Sequence, residues 1–210
     1  MRYRAVVFDF DGTIIDTEQH LFDVINQHLT AYQKDPISVD FYRQSIGGAA
    51  KGLHQYIESQ IGEEATKALY DDHHQQSRHL SMIENISRLM EHLEAKHIPF
   101  AIATSSSREA IQPALQALGL TNRVAVIVGR EDVEVVKPEP DLYLTAVQQL
   151  NMNPVSCLAI EDSVNGATAA ERAGLGVIVN TNQMTEQMDF SNLNLEGMNL
   201  DAETIMKQYF

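Results

Sequence analysis

Short apolar runs alternate with helical patterns along most of the chain. The runs cover residues 5–10, 100–104, 124–128, 158–160 and 176–179. Polar residues follow each run, and few polar residues interrupt one, which is typical of strands that are buried on both faces. This order of elements predicts an α/β fold with a doubly wound parallel sheet built from βαβ units.

The long stretch between the first two runs has helical periodicity and no convincing strand. Its apolar residues recur at helical spacing in two sets, Leu21, Val24, Ile25 and Leu29, and Leu53, Tyr56, Ile57 and Ile61. A glycine-containing loop at 46–52 separates the two sets. We therefore predict an inserted helical domain at 17–82 and a main domain formed by 1–16 and 83–210.

Composition and charge narrow the class of protein. The 210 residues are 44% hydrophobic, no window has the roughly 18 apolar residues of a membrane span, and the net charge is −14. That charge argues against binding to nucleic acid or to an anionic membrane, because both require basic patches. An anionic ligand would need concentrated local positive charge, such as a metal ion with a lysine.

The first residues and the cysteine content indicate a cytoplasmic protein. Residues 1–4 run directly into the first apolar run, which is too short for a signal peptide and lacks a small-residue cleavage site. The single cysteine, Cys157, lies in an apolar run, so we expect a core residue and no internal disulfide.

A pair of carboxylates stands at the end of the first predicted strand. Asp9 and Asp11 are two residues apart in the segment Phe8-Asp9-Phe10-Asp11-Gly12-Thr13. Burying two acids is costly unless a metal ion or a partner compensates them. Gly12 allows the backbone to turn, so that both carboxylates can approach one point. A solvated turn of the Asp-Gly kind is the alternative for this segment alone.

Three later segments carry chemistry at corresponding places. Thr104 begins a hydroxyl-rich turn after the second run, Lys137 lies between apolar residues and prolines after the third, and Glu161 and Asp162 follow the fourth. Each alone has an ordinary explanation as a helix cap or a surface lysine. Ligands of parallel sheets bind at the carboxyl ends of the strands, so the agreement of all four predicts one site there.

These four segments, in this order, resemble the four sequence motifs of the haloacid dehalogenase superfamily, in its phosphatase and β-phosphoglucomutase branch. The resemblance spans nearly the whole chain and is most specific in residues 9–18 and 160–170. It implies a Rossmann-like α/β core with an inserted α-helical cap at 17–82. It also implies a Mg²⁺-dependent enzyme that acts on a small phosphorylated metabolite.

The resemblance assigns roles to the acidic residues. Asp9 matches the nucleophile that forms an aspartyl-phosphate, and Asp11 matches the acid and base that serves the leaving group and the attacking water. The Asp9 carboxylate, the Asp11 backbone carbonyl and the Asp162 carboxylate match the metal ligands. Glu161 is expected to support these ligands or to serve as an alternative one.

Further roles follow for residues that contact the phosphate and the rest of the substrate. The Thr104 hydroxyl and the Ser105 amide match the groups that bind the transferred phosphoryl group. Lys137 matches the lysine that neutralises both the nucleophile and the phosphate, and with Mg²⁺ it would supply the local positive charge. Gly48 and Lys51, in the loop of the predicted cap, are expected to contribute to substrate specificity.

Hydrolysis is favoured over two alternatives. Mutases of this branch carry a histidine on the first cap helix, and the matching position here is Leu21, one residue beyond His20. A β-phosphoglucomutase-like activity therefore stays an alternative, and so does a catalytically silent binding module on the same fold. The sequence leaves open the natural substrate and the oligomeric state.

The histidine-rich segment near residue 73 is interpreted as a solvated cap helix. His73 and His74 are neighbours, and with His79 they lack the spacing of three or four residues that would place a pair on one helix face. We therefore do not predict a metal site there.

Overall fold

Six parallel strands form the sheet in the computed structural model, which describes residues 2–210. In chain order they are β1 (Ala5–Phe8), β2 (Phe100–Ala103), β3 (Val126–Val128), β4 (Cys157–Glu161), β5 (Gly176–Val179) and β6 (Gly197–Met198). Their order across the sheet is β3-β2-β1-β4-β5-β6, so the winding reverses between β1 and β4. The predicted α/β class is confirmed. The strand β6 was not predicted, because two residues are too few to form a recognisable apolar run.

One helix follows each of β2, β3, β4 and β6, five lie between β1 and β2, and none of those named below lies between β5 and β6. The helices are α1 (Thr17–Ala31), α2 (Val39–Arg43), α3 (Lys51–Ile61), α4 (Glu63–Ser77), α5 (Glu84–Ala95), α6 (Arg108–Ala117), α7 (Asp141–Gln149), α8 (Val164–Arg172) and α9 (Ala202–Tyr209). Within residues 2–210, none is both long and apolar enough to cross a membrane.

The central strand β1 contributes to two separate apolar clusters. Val6 and Phe8 pack in a cluster with residues of α5, α6 and α9. Ala5 and Val7 pack in another with residues of α7 and α8. Alternate side chains of a strand point to opposite faces, so the sheet is covered by helices on both sides and its strands read as continuous apolar runs.

The helices α1 to α4, which we call the cap, share an apolar cluster to which Met184, after β5, also contributes. It includes Val24, Ile25, Leu53, Ile57 and Leu69, all of which are buried. A separate cluster is what an inserted helical unit requires, although the boundaries at residues 17 and 82 stay a prediction.

Hydrogen bonds tie the loop before α3 to the sheet side of the molecule. The Asn165 side-chain amide donates to the Ile46 carbonyl at 2.7 Å, and the Ser105 hydroxyl donates to the Gly47 carbonyl at 3.1 Å. Gly47 has a φ of 75°, and a Cβ there would overlap the Ser163 side chain. Glycine at 47 therefore lets the cap loop approach the carboxyl ends of the strands closely.

Candidate active site

The carboxyl ends of β1, β2 and β4 bring the predicted polar residues to one edge of the sheet. Asp9 comes directly after β1, Thr104 directly after β2, and Asp162 directly after β4. Lys137 reaches the same edge from the loop between β3 and α7. This is the edge at which the winding of the sheet reverses, where α/β proteins commonly bind ligands.

Lys137 is the buried centre of an ion-pair network. Its side chain is 0% exposed, and Nζ donates to the Asp9 carboxylate and, at 2.7 Å, to Oε1 of Glu161. The Tyr143 hydroxyl donates to the same Glu161 oxygen at 2.6 Å. Burial opposes the charge, but the Asp9 and Glu161 carboxylates raise the pKa of Lys137 above its ordinary value. Lys137 therefore stays protonated and holds Asp9 in place.

Three buried carboxylates lie close together, and two of them contact that single ammonium group. Oxygens of Asp9, Glu161 and Asp162 lie within 4.8 Å of one another. Burial raises the pKa of Asp9 to about 8, against the opposing effect of Lys137. Burial, followed by the charge of Asp9, raises the pKa of Asp162 well above its usual range. Full ionisation would leave two uncompensated negative charges, which a divalent cation would balance.

The free oxygen of Asp162 shows how the residues present fit such a cation. Asp162 Oδ1 is buried without a hydrogen-bond partner among residues 2–210, whereas Oδ2 accepts a bond of 2.7 Å from Asn182. Glu161 differs, because Lys137 and Tyr143 occupy Oε1 and the Asp162 amide donates to Oε2 at 3.1 Å. Asp9 and Asp162 are thus the better ligands for a hard cation that prefers oxygen, and Glu161 anchors Lys137.

Three hydroxyl groups orient Asp11. Thr17 donates to Oδ1 at 2.8 Å, and Ser106 donates to Oδ2 at 2.7 Å. The Thr104 hydroxyl lies 3.4 Å from Oδ2 and accepts a bond from the Ser106 amide. Asp11 is half-buried and faces the cavity described next, so its carboxyl group is both oriented and accessible.

A cavity of about 570 Å³ lies between the cap and this edge of the sheet. The predicted residues fall into two groups around it. Six line the cavity, from the sheet side and from the cap: Asp9, Asp11, Thr104, Ser105, Gly48 and Lys51. Three lie buried behind Asp9: Lys137, Glu161 and Asp162. The cavity is therefore bounded by the acidic pair on one side and by the cap loop on the other.

The structure corrects the interpretation of His73. That residue is buried, lines the cavity, and stacks against His20 with 5.1 Å between ring centroids. The prediction of a solvated helix face is wrong for this position, because the packing of α1 against α4 joins residues that are far apart in sequence. His74 is half-buried and also lines the cavity.

Sequence reasoning also missed several residues that support the site. Asn182 holds Asp162 from an aperiodic segment, and Tyr143 holds Glu161 from the first turns of α7. Tyr42 donates to Glu18 at 2.7 Å, and both are buried in the cavity wall. Two of the supporting residues had a signal: Ser106 belongs to the hydroxyl-rich turn after β2, and Glu18 lies in residues 9–18, where the resemblance is most specific.

Comparisons with known proteins agree with this geometry. The sequence profile of the family described as haloacid dehalogenase-like hydrolase matches residues 6–180. YhcW of Bacillus subtilis (strain 168) is 33% identical over 204 residues, covering 93% of this chain and 92% of YhcW. A Thermotoga maritima protein named phosphorylated carbohydrates phosphatase is 30% identical over 177 residues, which cover 81% of this chain and 82% of that protein. The crystal structure of CbbY from Rhodobacter sphaeroides in complex with phosphate superposes on this chain with a TM-score of 0.82 and 23% identity. The match covers 97% of this chain and 96% of CbbY, and it shows that the two proteins share a fold.

Proposed function

Because the chain belongs to the haloacid dehalogenase-like hydrolase family, we propose that it is a phosphatase that hydrolyses the phosphate monoester of a small metabolite. Family membership confirms the resemblance drawn from the four motifs. The Thermotoga maritima relative is named for phosphorylated carbohydrates, which supports a sugar phosphate or a similar compound as substrate. The observation that carries the proposal is the Asp9 carboxylate, held by Lys137 at the floor of the cavity.

Asp9 is the nucleophile in this proposal. The bond from Lys137 fixes Oδ1, which leaves the other oxygen available to attack the phosphorus atom of a substrate in the cavity. The bond from phosphorus to the ester oxygen breaks, and an aspartyl-phosphate forms. Hydrolysis of that intermediate by water restores Asp9, so one difficult displacement is divided into two easier steps.

Asp11 moves the protons of both steps. In its protonated form it donates to the departing ester oxygen, and as a carboxylate it then accepts a proton from the attacking water. The bonds from Thr17 and Ser106 hold the carboxyl group in one orientation for both transfers. The Thr104 hydroxyl and the Ser105 amide bind oxygens of the phosphoryl group, and the charge of Lys137 stabilises the negative charge that develops on them.

Mg²⁺ is the cation that we propose for the acidic cluster. The carboxylates of Asp9 and Asp162 and the backbone carbonyl of Asp11 would hold it, with Glu161 behind them as support. When bound, Mg²⁺ neutralises negative charge on the phosphoryl group and on the carboxylates. Its two positive charges match the two uncompensated negative charges of the cluster.

The cavity wall favours hydrolysis over mutase chemistry. Leu21 lines the cavity at the position of the mutase histidine, whereas His20 packs its ring against His73. Gly48 in the loop before α3 and Lys51 at the start of α3 line the cavity, which supports a role for both in recognising the part of the substrate beyond the phosphate. A silent binding module would not need the buried pair of Asp9 and Lys137 together with the oriented carboxyl group of Asp11.

The proposal includes a cytoplasmic location and no nucleic-acid partner. The single cysteine, Cys157, is buried, and burial raises the pKa of its thiol to about 11, so it behaves as a core residue rather than as part of a disulfide. The net charge of −14 disfavours contact with a polyanion.

Release of phosphate from p-nitrophenyl phosphate tests the proposal. The wild type should release phosphate with Mg²⁺ and lose nearly all activity when the metal is chelated. Asp9→Asn should be inactive under both conditions, whereas Lys207→Met, an exposed change on α9, should retain wild-type activity. A wild type that turns over neither this ester nor any of a panel of phosphorylated metabolites would refute the proposal.

A further inference from the structure

His73 occupies an unusual position for a histidine in the wall of a cavity. It is 6% exposed, and Nδ1 has no hydrogen-bond partner among residues 2–210. Its ring stacks on His20, whose Nε2 is likewise buried and unpaired. Unpaired buried polar atoms are rare because each costs about 1–3 kcal/mol, and they call for an explanation such as a ligand that completes their bonds.

The histidines are not arranged as a metal site. Within the described residues 2–210, the acidic cluster around Asp9 is the one group of three or more ligand side chains close enough to share an ion. A partner for His73 must therefore be sought among groups that form hydrogen bonds.

The charge state of His73 limits the class of that partner. Burial lowers the pKa of His73 to about 4, even though the charge of Asp11 acts in the opposite direction. The ring is therefore neutral near pH 7, with one nitrogen as donor and the other as acceptor. A neutral imidazole cannot compensate a second anionic group, but it pairs well with a hydroxyl group, which also both donates and accepts.

Glu18 and Tyr42 extend the same polar wall. Both line the cavity and are buried, and the Tyr42 hydroxyl donates to Glu18 Oε2 at 2.7 Å. Burial raises the pKa of Glu18 to about 8, so near pH 7 this carboxyl group offers hydrogen bonds to hydroxyl groups but no charge that would attract a second anionic group. The positive side chains that line the cavity, Lys51 and Arg130, are both exposed residues, so they do not change the charge of the buried wall.

We propose that His73, together with Glu18 and Tyr42, binds hydroxyl groups of the alcohol that leaves with the ester oxygen. The preferred substrate is then the monophosphate of a neutral polyhydroxylated alcohol, rather than a compound with a second phosphate or a carboxylate. This inference rests on the proposed function, because it concerns the part of the substrate beyond the phosphate that Asp9 attacks.

The test compares His73→Phe with His92→Phe, an exposed change on α5 away from the cavity. Phenylalanine preserves the aromatic ring at position 73 but removes both nitrogens. We would measure kcat/KM for pentose and hexose monophosphates, for their deoxy counterparts, for phosphoglycolate, for a sugar bisphosphate and for p-nitrophenyl phosphate. Calorimetry would give Kd for the same compounds with Asp9→Asn alone and combined with His73→Phe, which requires no turnover.

The wild type should prefer at least one polyhydroxylated monophosphate to phosphoglycolate and to the bisphosphate. His73→Phe should lower kcat/KM for it about 10- to 100-fold, the size expected for one lost buried hydrogen bond, and should change p-nitrophenyl phosphate less than about threefold. For the deoxy analogue that lacks the hydroxyl group bound by His73, His73→Phe should leave kcat/KM unchanged. His92→Phe should match the wild type throughout.

Three results would overturn the inference. They are a preference for the carboxylated or bisphosphorylated compound, an equal loss for the sugar phosphate and p-nitrophenyl phosphate, and no loss with His73→Phe. Without any wild-type turnover the proposed function fails, and the Kd values then decide the inference separately. A 10-fold weaker Kd for the sugar phosphate in the double variant would support it, and equal Kd values would refute it.

Discussion

Replacement of Lys137 by methionine would leave two buried carboxylates without their shared counterion. The Lys137 side chain is 0% exposed and contacts both Asp9 and Glu161. Removing one partner of a buried ion pair costs about 3–5 kcal/mol, which is a large part of the roughly 5–15 kcal/mol that stabilises a typical domain. At about 2–4 °C per kcal/mol for a chain of this size, Tm should fall by roughly 10 °C.

The assay is thermal unfolding in the presence of a chelator, so that no divalent cation replaces the lost charge. Lys67→Met is the matched control, because Lys67 pairs with Asp71 on the exposed surface of α4 and its removal should leave Tm unchanged within error. Adding Glu161→Gln to Lys137→Met should recover part of the lost stability, since it removes one of the two unpaired charges. The reasoning is refuted if Lys137→Met unfolds at the same temperature as Lys67→Met, or if the double variant is no more stable than Lys137→Met.

The remaining predictions concern a glycine, a histidine and one proposed metal ligand. Gly166→Ala should abolish phosphatase activity and lower Tm, because a Cβ there would overlap the Glu161 carboxylate. A Cβ at Gly52 would meet no atom within 4 Å, so Gly52→Ala should retain activity. Its free energy of unfolding, measured with denaturant, should rise by up to about 1 kcal/mol. Because the pKa of His73 is about 4 in the folded protein, the unfolded chain binds more protons than the folded protein between about pH 4 and 6.5. The stability that His73 contributes is therefore present above pH 6.5 and is lost as the pH falls towards 4. The wild type should therefore lose about 2 kcal/mol more than His73→Phe between pH 7.5 and pH 5 in denaturant unfolding, and equal losses would contradict the assigned pKa. Asp162→Asn should raise the Mg²⁺ concentration for half-maximal activity at least about tenfold in a metal titration, and an unchanged titration would remove Asp162 from the ligand set.

The sheet and the edge that carries the candidate site could be predicted because local patterns specify them. Asp9, Thr104 and Asp162 each follow a continuous apolar run, and the carboxyl ends of parallel strands lie at one edge. Helical periodicity likewise indicated the cap, whose apolar cluster is separate from those of the sheet. These features depend on a few neighbouring residues, so a sequence displays them directly.

Contacts between distant segments could not be predicted in the same way. Asn182 bonds to Asp162 across 20 residues, and His73 stacks on His20 across the interface of two helices. No periodicity marks such pairs, because each depends on how whole elements pack. Burial of His73 was therefore missed, even though the helix that carries it was expected.

Detection of the phosphorylated enzyme tests the central claim most directly. With Mg²⁺ and p-nitrophenyl phosphate, Asp11→Asn should form the aspartyl-phosphate, because nitrophenolate leaves without a proton, but should hydrolyse it slowly. Acid quenching and mass spectrometry of the digested protein should then find one phosphoryl group on the peptide that contains Asp9, accompanied by a burst of nitrophenolate. Phosphate on another residue, or turnover by Asp9→Asn at the wild-type rate, would contradict the assignment of Asp9 as the nucleophile.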